Sequence, residues 1–165
     1  MNVPRKPLII TALSLMVVVT QASQTRNVAP PEQSTYAEFK TLIDQYFAAC
    51  NSLDLNAEMA FYARDPGLVF YDMTPPLKYT GWEEYREGIQ KAYLHKVLSA
   101  KLTPNDDLKV TRRGDVAWTT ETFHFVVTMK TGQKKSIEAR HTAIWEKRGA
   151  KWIIVHEHVS VPYTD

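Results

Sequence analysis

The sequence predicts an α+β domain in which three N-terminal helices cover one face of a curved antiparallel sheet. Three observations carry this. Apolar residues recur at helical spacing through the first half of the chain, β-branched and aromatic residues dominate from Leu98 onward, and turn signals stand at Arg113-Gly114-Asp115, Thr131-Gly132-Gln133 and Arg148-Gly149-Ala150. Helices followed by hairpins imply helices layered on one side of a meander. At 165 residues the chain suits a single core.

The first helix is read from Thr35 and Glu38, spaced as a capping box, ahead of Tyr36, Phe39, Ile43, Tyr46, Phe47 and Cys50. Cys50 follows the apolar spacing and is expected to pack; a single cysteine makes no internal disulfide. Asp54 caps a short second helix carrying Leu55, Met59 and Tyr62, which Asp65-Pro66-Gly67 stops. Leu68 to Tyr71 is a brief strand broken by Thr74-Pro75-Pro76. Thr80 and Glu83 form a second capping box before Trp82, Tyr85, Ile89, Ala92, Tyr93 and Val97, the third helix. A bent sheet closed by helices on its concave side leaves a cavity, the default place for a ligand.

Residues 1–22 read as a signal peptide: Arg5 and Lys6, an apolar run from Leu8 to Val19, then small Thr20 and Ala22 at cleavage spacing. The run is short against the roughly 20 residues that span a bilayer, so no stable membrane association is expected after cleavage. Residues 23–33, with Pro30-Pro31, read as a linker, 34–162 as the domain and 163–165 as a tail; the expected location is periplasmic or secreted. The 20 basic and 18 acidic side chains become 18 and 18 once Arg5 and Lys6 are removed. A neutral chain without a basic stretch has little with which to neutralise phosphates, so nucleic acid is not an expected partner and a small-molecule ligand is.

The candidate chemistry centres on the last strand. Strict alternation places Trp152, Ile154, His156, His158 and Ser160 on one face and Ile153, Val155, Glu157, Val159 and Val161 on the other. Two imidazoles and a hydroxyl on one wall suit proton transfer or polar orientation of a ligand. Three other readings stand beside it: structural hydrogen bonding, a surface edge, or metal ligation with His124 or His141 as third ligand. Arg140 shares a face with Thr142 and Ile144 on the preceding strand, where it would stabilise negative charge or pair with Glu138, Glu121 or Glu157. Asp72 at the strand end is a candidate base or a turn cap. Tyr71, Tyr62, Tyr85 and Trp118 are candidate lining residues. The mature chain holds no Ser-His-Asp order, glycine-rich phosphate loop or HExxH helix, and no cofactor is expected.

DMTPPLKYTG at 72–81, GDVAW at 114–118, R-x-T at 140–142, GAKW at 149–152 and HEHVSVP at 156–162 together resemble SnoaL-like domains of the nuclear-transport-factor-2-like superfamily, which includes ketosteroid isomerase-like proteins. The resemblance runs from about Ser34 to Pro162. It implies a cone-shaped α+β barrel of three helices on a strongly curved sheet, with an apolar pocket inside and homodimerisation through the sheet's outer face. Members isomerise, cyclise, dehydrate or hydrolyse small molecules, and others only bind or oligomerise. The expectation is therefore a small-molecule-binding domain with cofactor-free acid/base chemistry on a small apolar substrate: Asp72 or His156 as base, His158 as its partner or acid, and Arg140 as stabiliser. Tyr71, Trp118, Tyr62, Tyr85 and Ser160 would contact the ligand. The alternative is a non-catalytic binding or oligomerisation module.

Overall fold

A computed structural model describes residues 31–163. The expected signal peptide and most of the expected linker lie outside the described residues. Helix α1 spans Pro31–Ser52 and α2 Leu55–Met59; β1 (Val69–Tyr71) and β2 (Lys78–Thr80) form a short hairpin; α3 (Trp82–Gly88) runs on into a π-helical turn, Ile89–Leu94. Five strands follow: β3 (Val97–Pro104), β4 (Lys109–Arg113), β5 (Val116–Met129), β6 (Lys134–Arg148) and β7 (Lys151–Ser160). The sheet order is β2-β1-β7-β6-β5-β3, with β4 pairing the N-terminal half of β5. All pairs are antiparallel except β1 with β7. The sheet is curled but open, with β2 at one edge and β3 and β4 at the other.

The three expected hairpin turns are all present, with Gly114, Gly132 and Gly149 at positive φ. The helix boundaries differ from expectation. α1 begins at Pro31, where a missing N–H costs nothing, so Thr35 lies inside the helix rather than at its cap. Glu38 instead accepts from Trp152 Nε1 at 2.9 Å, tying α1 to β7. α2 is capped as expected by Asp54, whose carboxylate accepts from Asn56 N. At α3 the cap is Gly81 at φ 84°, and it is Glu84, not Glu83, that accepts from Thr80 N. The third helix also ends earlier than its apolar spacing suggests: Val97 opens β3.

The core lies between the helices and the concave face of the sheet. Phe39 and Ile43 of α1 and Trp145 of β6 are fully buried, with Phe39 packed edge-on against Trp145 and tilted against Trp152. Cys50 is buried as expected. From β5, Ala117, Thr119, Glu121, Phe123, Phe125 and Val127 point inward, and from β6, Ala139, His141, Ala143 and Trp145. Asn51 at the end of α1 makes two bonds to Leu102 of β3, donating to its carbonyl at 3.0 Å and accepting from its N–H at 2.6 Å.

In β7 the alternation fails. Ile144 pairs with His156 but Trp145 pairs with Ile154, so Val155 is an extra residue, a β-bulge. After the bulge the faces exchange: Trp152 and Ile154 point inward, and so does Glu157, while His156, His158 and Ser160 move to the outer face. This corrects the expectation of a shared wall from Trp152 to Ser160. The bulge is held from the open side of β7, where Ala63 N donates to Ile154 O at 2.9 Å and Ile154 N to Phe61 O at 2.7 Å. The same contact delivers Tyr62 to the interior.

Gly88 sits in α3 with its missing Cβ directed at the Tyr79 ring, 2.0 Å from Cε1. A methyl there must displace a buried tyrosine. G88A is therefore expected to lower stability by about 1–3 kcal/mol, against the gain of up to about 1 kcal/mol that glycine-to-alanine gives in an ordinary helix interior. Thermal unfolding checks this; a raised Tm would show that Tyr79 yields freely.

Candidate functional site

The exchange of faces at Val155 assembles a polar cluster inside the cone from elements far apart in sequence. Glu157 is 1% exposed. It accepts from the Tyr46 hydroxyl of α1 at 2.8 Å and from the Tyr62 hydroxyl, and these two hydroxyls are 2.8 Å apart. His141 of β6, 2% exposed and stacked on Tyr46, places Nε2 3.1 Å from Glu157 Oε1 in an ion-pair contact without hydrogen-bond alignment. On its other side His141 Nδ1 lies 2.9 Å from Glu121 Oε1 of β5. The chain of contacts continues outward, from Tyr62 to Tyr85 (3.2 Å between hydroxyls) and from Tyr85 to Glu58 Oε1 of α2 at 3.2 Å.

Burial and charge set the proton affinities. Burial on its own would lower the His141 pKa, but Glu157 and Glu121 on either side overturn that and lift it to about 9, so the ring is an imidazolium at neutral pH. Glu58 is 5% exposed; burial first, then the charge of Glu157, raise its carboxyl to about 7. Burial pushes the hydroxyls of Tyr46, Tyr62 and Tyr85 well above the ordinary tyrosine value, leaving them as neutral donors. The protons available then define a direction. With Glu58 ionised, Tyr85 donates to Glu58; with Glu58 protonated, its own O–H can face Tyr85, and Tyr85 is free to donate to Tyr62.

Of the residues expected from sequence, Tyr62 and Tyr85 are in this cluster and hydrogen-bonded to each other. Asp72 lies on its flank, at the end of β1. Burial, and more weakly the charge of Glu157, raise its carboxyl, while its Oδ1 accepts from Thr74 N and Thr74 Oγ1 as a turn cap. Tyr93, on the π-helical turn, is half-buried, and its hydroxyl is raised by burial and by the charge of Glu58. π-Helical turns are rare and concentrate at functional sites.

The other expected residues are on the outer face. Tyr71 is 42% exposed and meets the rings of His156 and His158 edge-on, at 5.6 and 5.8 Å. Arg140 pairs in register with Ser160 and, across β5, with Thr122, so it does neighbour the histidine strand as expected, but on the convex side. It cannot reach Glu121 or Glu157, which face inward. Trp118 lies on the same outer face under Arg113. Among the described residues no set of three histidine, cysteine or acidic side chains is arranged to hold a metal ion. Two depressions among them lie at the surface. One, of about 230 Å³, is lined by Asp65, Trp145 and Arg148; the other, of about 550 Å³, lies between α1 and the β6–β7 turn, beside Glu38, Phe61 and Trp152. Neither opens on the Glu157 cluster. Sequence reasoning missed Glu58, Glu121, His141 and Glu157 as a group; their meeting depends on strand register and on the bulge.

The architecture is the nuclear-transport-factor-2-like α+β cone. The chain belongs to the SnoaL-like domain family, whose model matches residues 40–164. No curated protein matches. Among solved structures, a nuclear transport factor 2-like superfamily protein from Salmonella enterica superposes with a TM-score of 0.72 at 20% identity, covering 80% of this chain and 94% of that one. A Xanthomonas campestris protein, described provisionally as a calcium/calmodulin dependent protein kinase II association domain, gives 0.68 at 26% identity, covering 82% and 93%. A hexachlorocyclohexane dehydrochlorinase from Novosphingobium barchaimii gives 0.66 at 12% identity, covering 79% and 88%.

The proton affinities fix a pH dependence. His141 holds its proton to about 9 when folded against 6.5 ordinarily, so its contribution is present below pH 6.5 and lost as pH rises through 9. Glu58 holds its proton to about 7 against 4.5, so stability also falls as pH rises from 4.5 to 7. The urea midpoint of the wild type is expected to fall across both windows. E58Q is expected to flatten the lower window and leave the upper one in place. A midpoint that rises through pH 5–9 would contradict both assignments.

Proposed function

We propose that this domain binds a small, mostly apolar organic molecule at the end of the cone where Glu58, Asp72 and Tyr93 lie, and exchanges a proton with it without a cofactor. The observation that supports this is Glu58: a buried carboxyl whose side-chain hydrogen bond among the described residues is to the Tyr85 hydroxyl, with its pKa raised to about 7 by burial. A general acid or base is most effective with its pKa near the working pH, and a structural carboxyl is ordinarily paired with a cation. Tyr85, Tyr62 and Glu157 behind Glu58 would relay the change in protonation to the His141 imidazolium. Asp72 would serve as a second carboxyl at the rim. His156, His158 and Arg140, on the convex face, would act there on an external partner or in pairing of two copies, not on an interior ligand. Export to the periplasm or outside the cell, and a homodimer formed through that face, belong to this proposal.

The Xanthomonas campestris neighbour's description favours a second reading, a non-catalytic association module. Native mass spectrometry of untagged protein, followed by a thermal-shift screen of small apolar compounds at pH 6 and pH 8, separates the two. The ligand reading expects a discrete organic mass or a stabilising compound whose effect differs between the two pH values. E58Q would remove that difference and reduce any turnover by about 100-fold or more. A clean oligomer that no compound stabilises, with E58Q altering only stability, would leave the association reading.

A further inference from the structure

A second cluster stands on the outer face, near the β5–β6 turn and separate from the Glu157 network. His124 of β5 lies directly opposite Glu138 of β6, and Ser136 is two residues from Glu138 on the same exposed face. His124 Nδ1 is 2.6 Å from Glu138 Oε1, and Ser136 Oγ is 3.1 Å from His124 Nε2. The donor and acceptor roles are mutually consistent. One neutral tautomer, with the proton on Nδ1, donates to the carboxylate and leaves Nε2 to accept from the serine hydroxyl. Glu138 is fixed in turn: Asn105 Nδ2 donates to its Oε2 and to Thr122 Oγ1, each at 3.0 Å, and Thr122 Oγ1 donates to Asp107 Oδ2 at 2.8 Å.

We propose that Ser136, His124 and Glu138 form a solvent-facing nucleophilic triad that takes acyl groups from activated esters. Nucleophile, base and orienting carboxylate stand in the order and at the separations that define this chemistry independently of fold. The Asn105 amide, and after it His124, hold the Glu138 carboxyl below the ordinary glutamate range, so it remains an anion able to stabilise an imidazolium. Lys134 shares the outer face of β6 with Ser136, and Lys101 shares its register row through Val126. Neither lysine makes an ion pair among the described residues, and the proposal assigns the developing oxyanion to whichever of them reaches Ser136.

In the first step Ser136 Oγ attacks the ester carbonyl carbon as its proton passes to His124 Nε2. The carbon–oxygen bond to the leaving group then breaks, and the departing oxyanion takes the proton from Nε2. Water attacks the acyl-serine by the same route and releases a carboxylic acid. No redox partner is required. With lysines in place of a pair of backbone N–H donors, good leaving groups such as aryl oxides are the class this site serves.

Treating the full chain with p-nitrophenyl acetate and, separately, with diisopropyl fluorophosphate, then mapping adducts by peptide mass spectrometry, tests this. The expected result is stoichiometric modification of Ser136 above every other serine, absent from S136A and H124Q. E138Q should slow it by about tenfold or more, since the carboxylate fixes the tautomer. E58Q should label as the wild type does, which separates this site from the interior one. Adducts confined to lysines, or equal p-nitrophenol release from wild type, S136A and H124Q, would overturn the proposal.

Discussion

The fold turns on the burial of one carboxylate. An ionised glutamate withdrawn from water costs several kcal/mol unless it is paired and hydrogen-bonded, and Glu157 recruits its partners from nearly every layer of the cone. Tyr46 comes from α1, Tyr62 from the segment after α2, and His141 from the neighbouring strand. Each arrives on a separate element, so α1 cannot rotate, the Phe61–Ala63 segment cannot leave β7, and β6 cannot slip without stranding a charge. Low local dielectric makes such a network stiff when complete and costly when broken. Among the described residues, two buried atoms of the network, Glu121 Oε2 and His141 Nε2, make no hydrogen bond.

What makes this burial possible is the extra residue at Val155. Without it Glu157 and the two histidines would exchange places, and the interior would hold two imidazoles beneath Tyr46 while a carboxylate faced solvent. A single-residue change of register therefore separates two different chemistries written in the same letters, HEH. The bulge is stabilised by backbone bonds from Phe61 and Ala63, a contact between residues about ninety positions apart.

This explains which parts were legible in the sequence. The amphipathic helices announced themselves through Phe39, Ile43, Tyr46 and Phe47, and the hairpins through Gly114, Gly132 and Gly149, because both signals are local. The alternation along β6 also separated Arg140, Thr142 and Ile144 from the face that carries Trp145, although it did not say which face points inward, and Trp118 on β5 proved to lie outside. The candidate site was not legible, because it depends on where alternation stops. Nothing in Ile154-Val155-His156 marks the bulge; the cause is the partner segment at 61–63. Glu58 was equally hidden, since an acid in a short capped helix ordinarily faces water.

Charge also bears on what the interior would admit. Three carboxyls, Glu58, Glu121 and Glu157, are buried with one imidazolium, His141, with Asp72 on their flank, and among the described residues no arginine or lysine is buried. His141 is already committed to two of them. An anionic group brought to Glu58 would add negative charge beside the Glu157 carboxylate in a low dielectric, where like charges repel strongly. A neutral molecule with a donor or a weakly acidic hydrogen meets no such barrier, and it would find Glu58 able either to give or to accept a proton near pH 7. On the proposed reading, the charge arrangement would therefore favour a neutral, proton-exchanging molecule over a carboxylate or a phosphate.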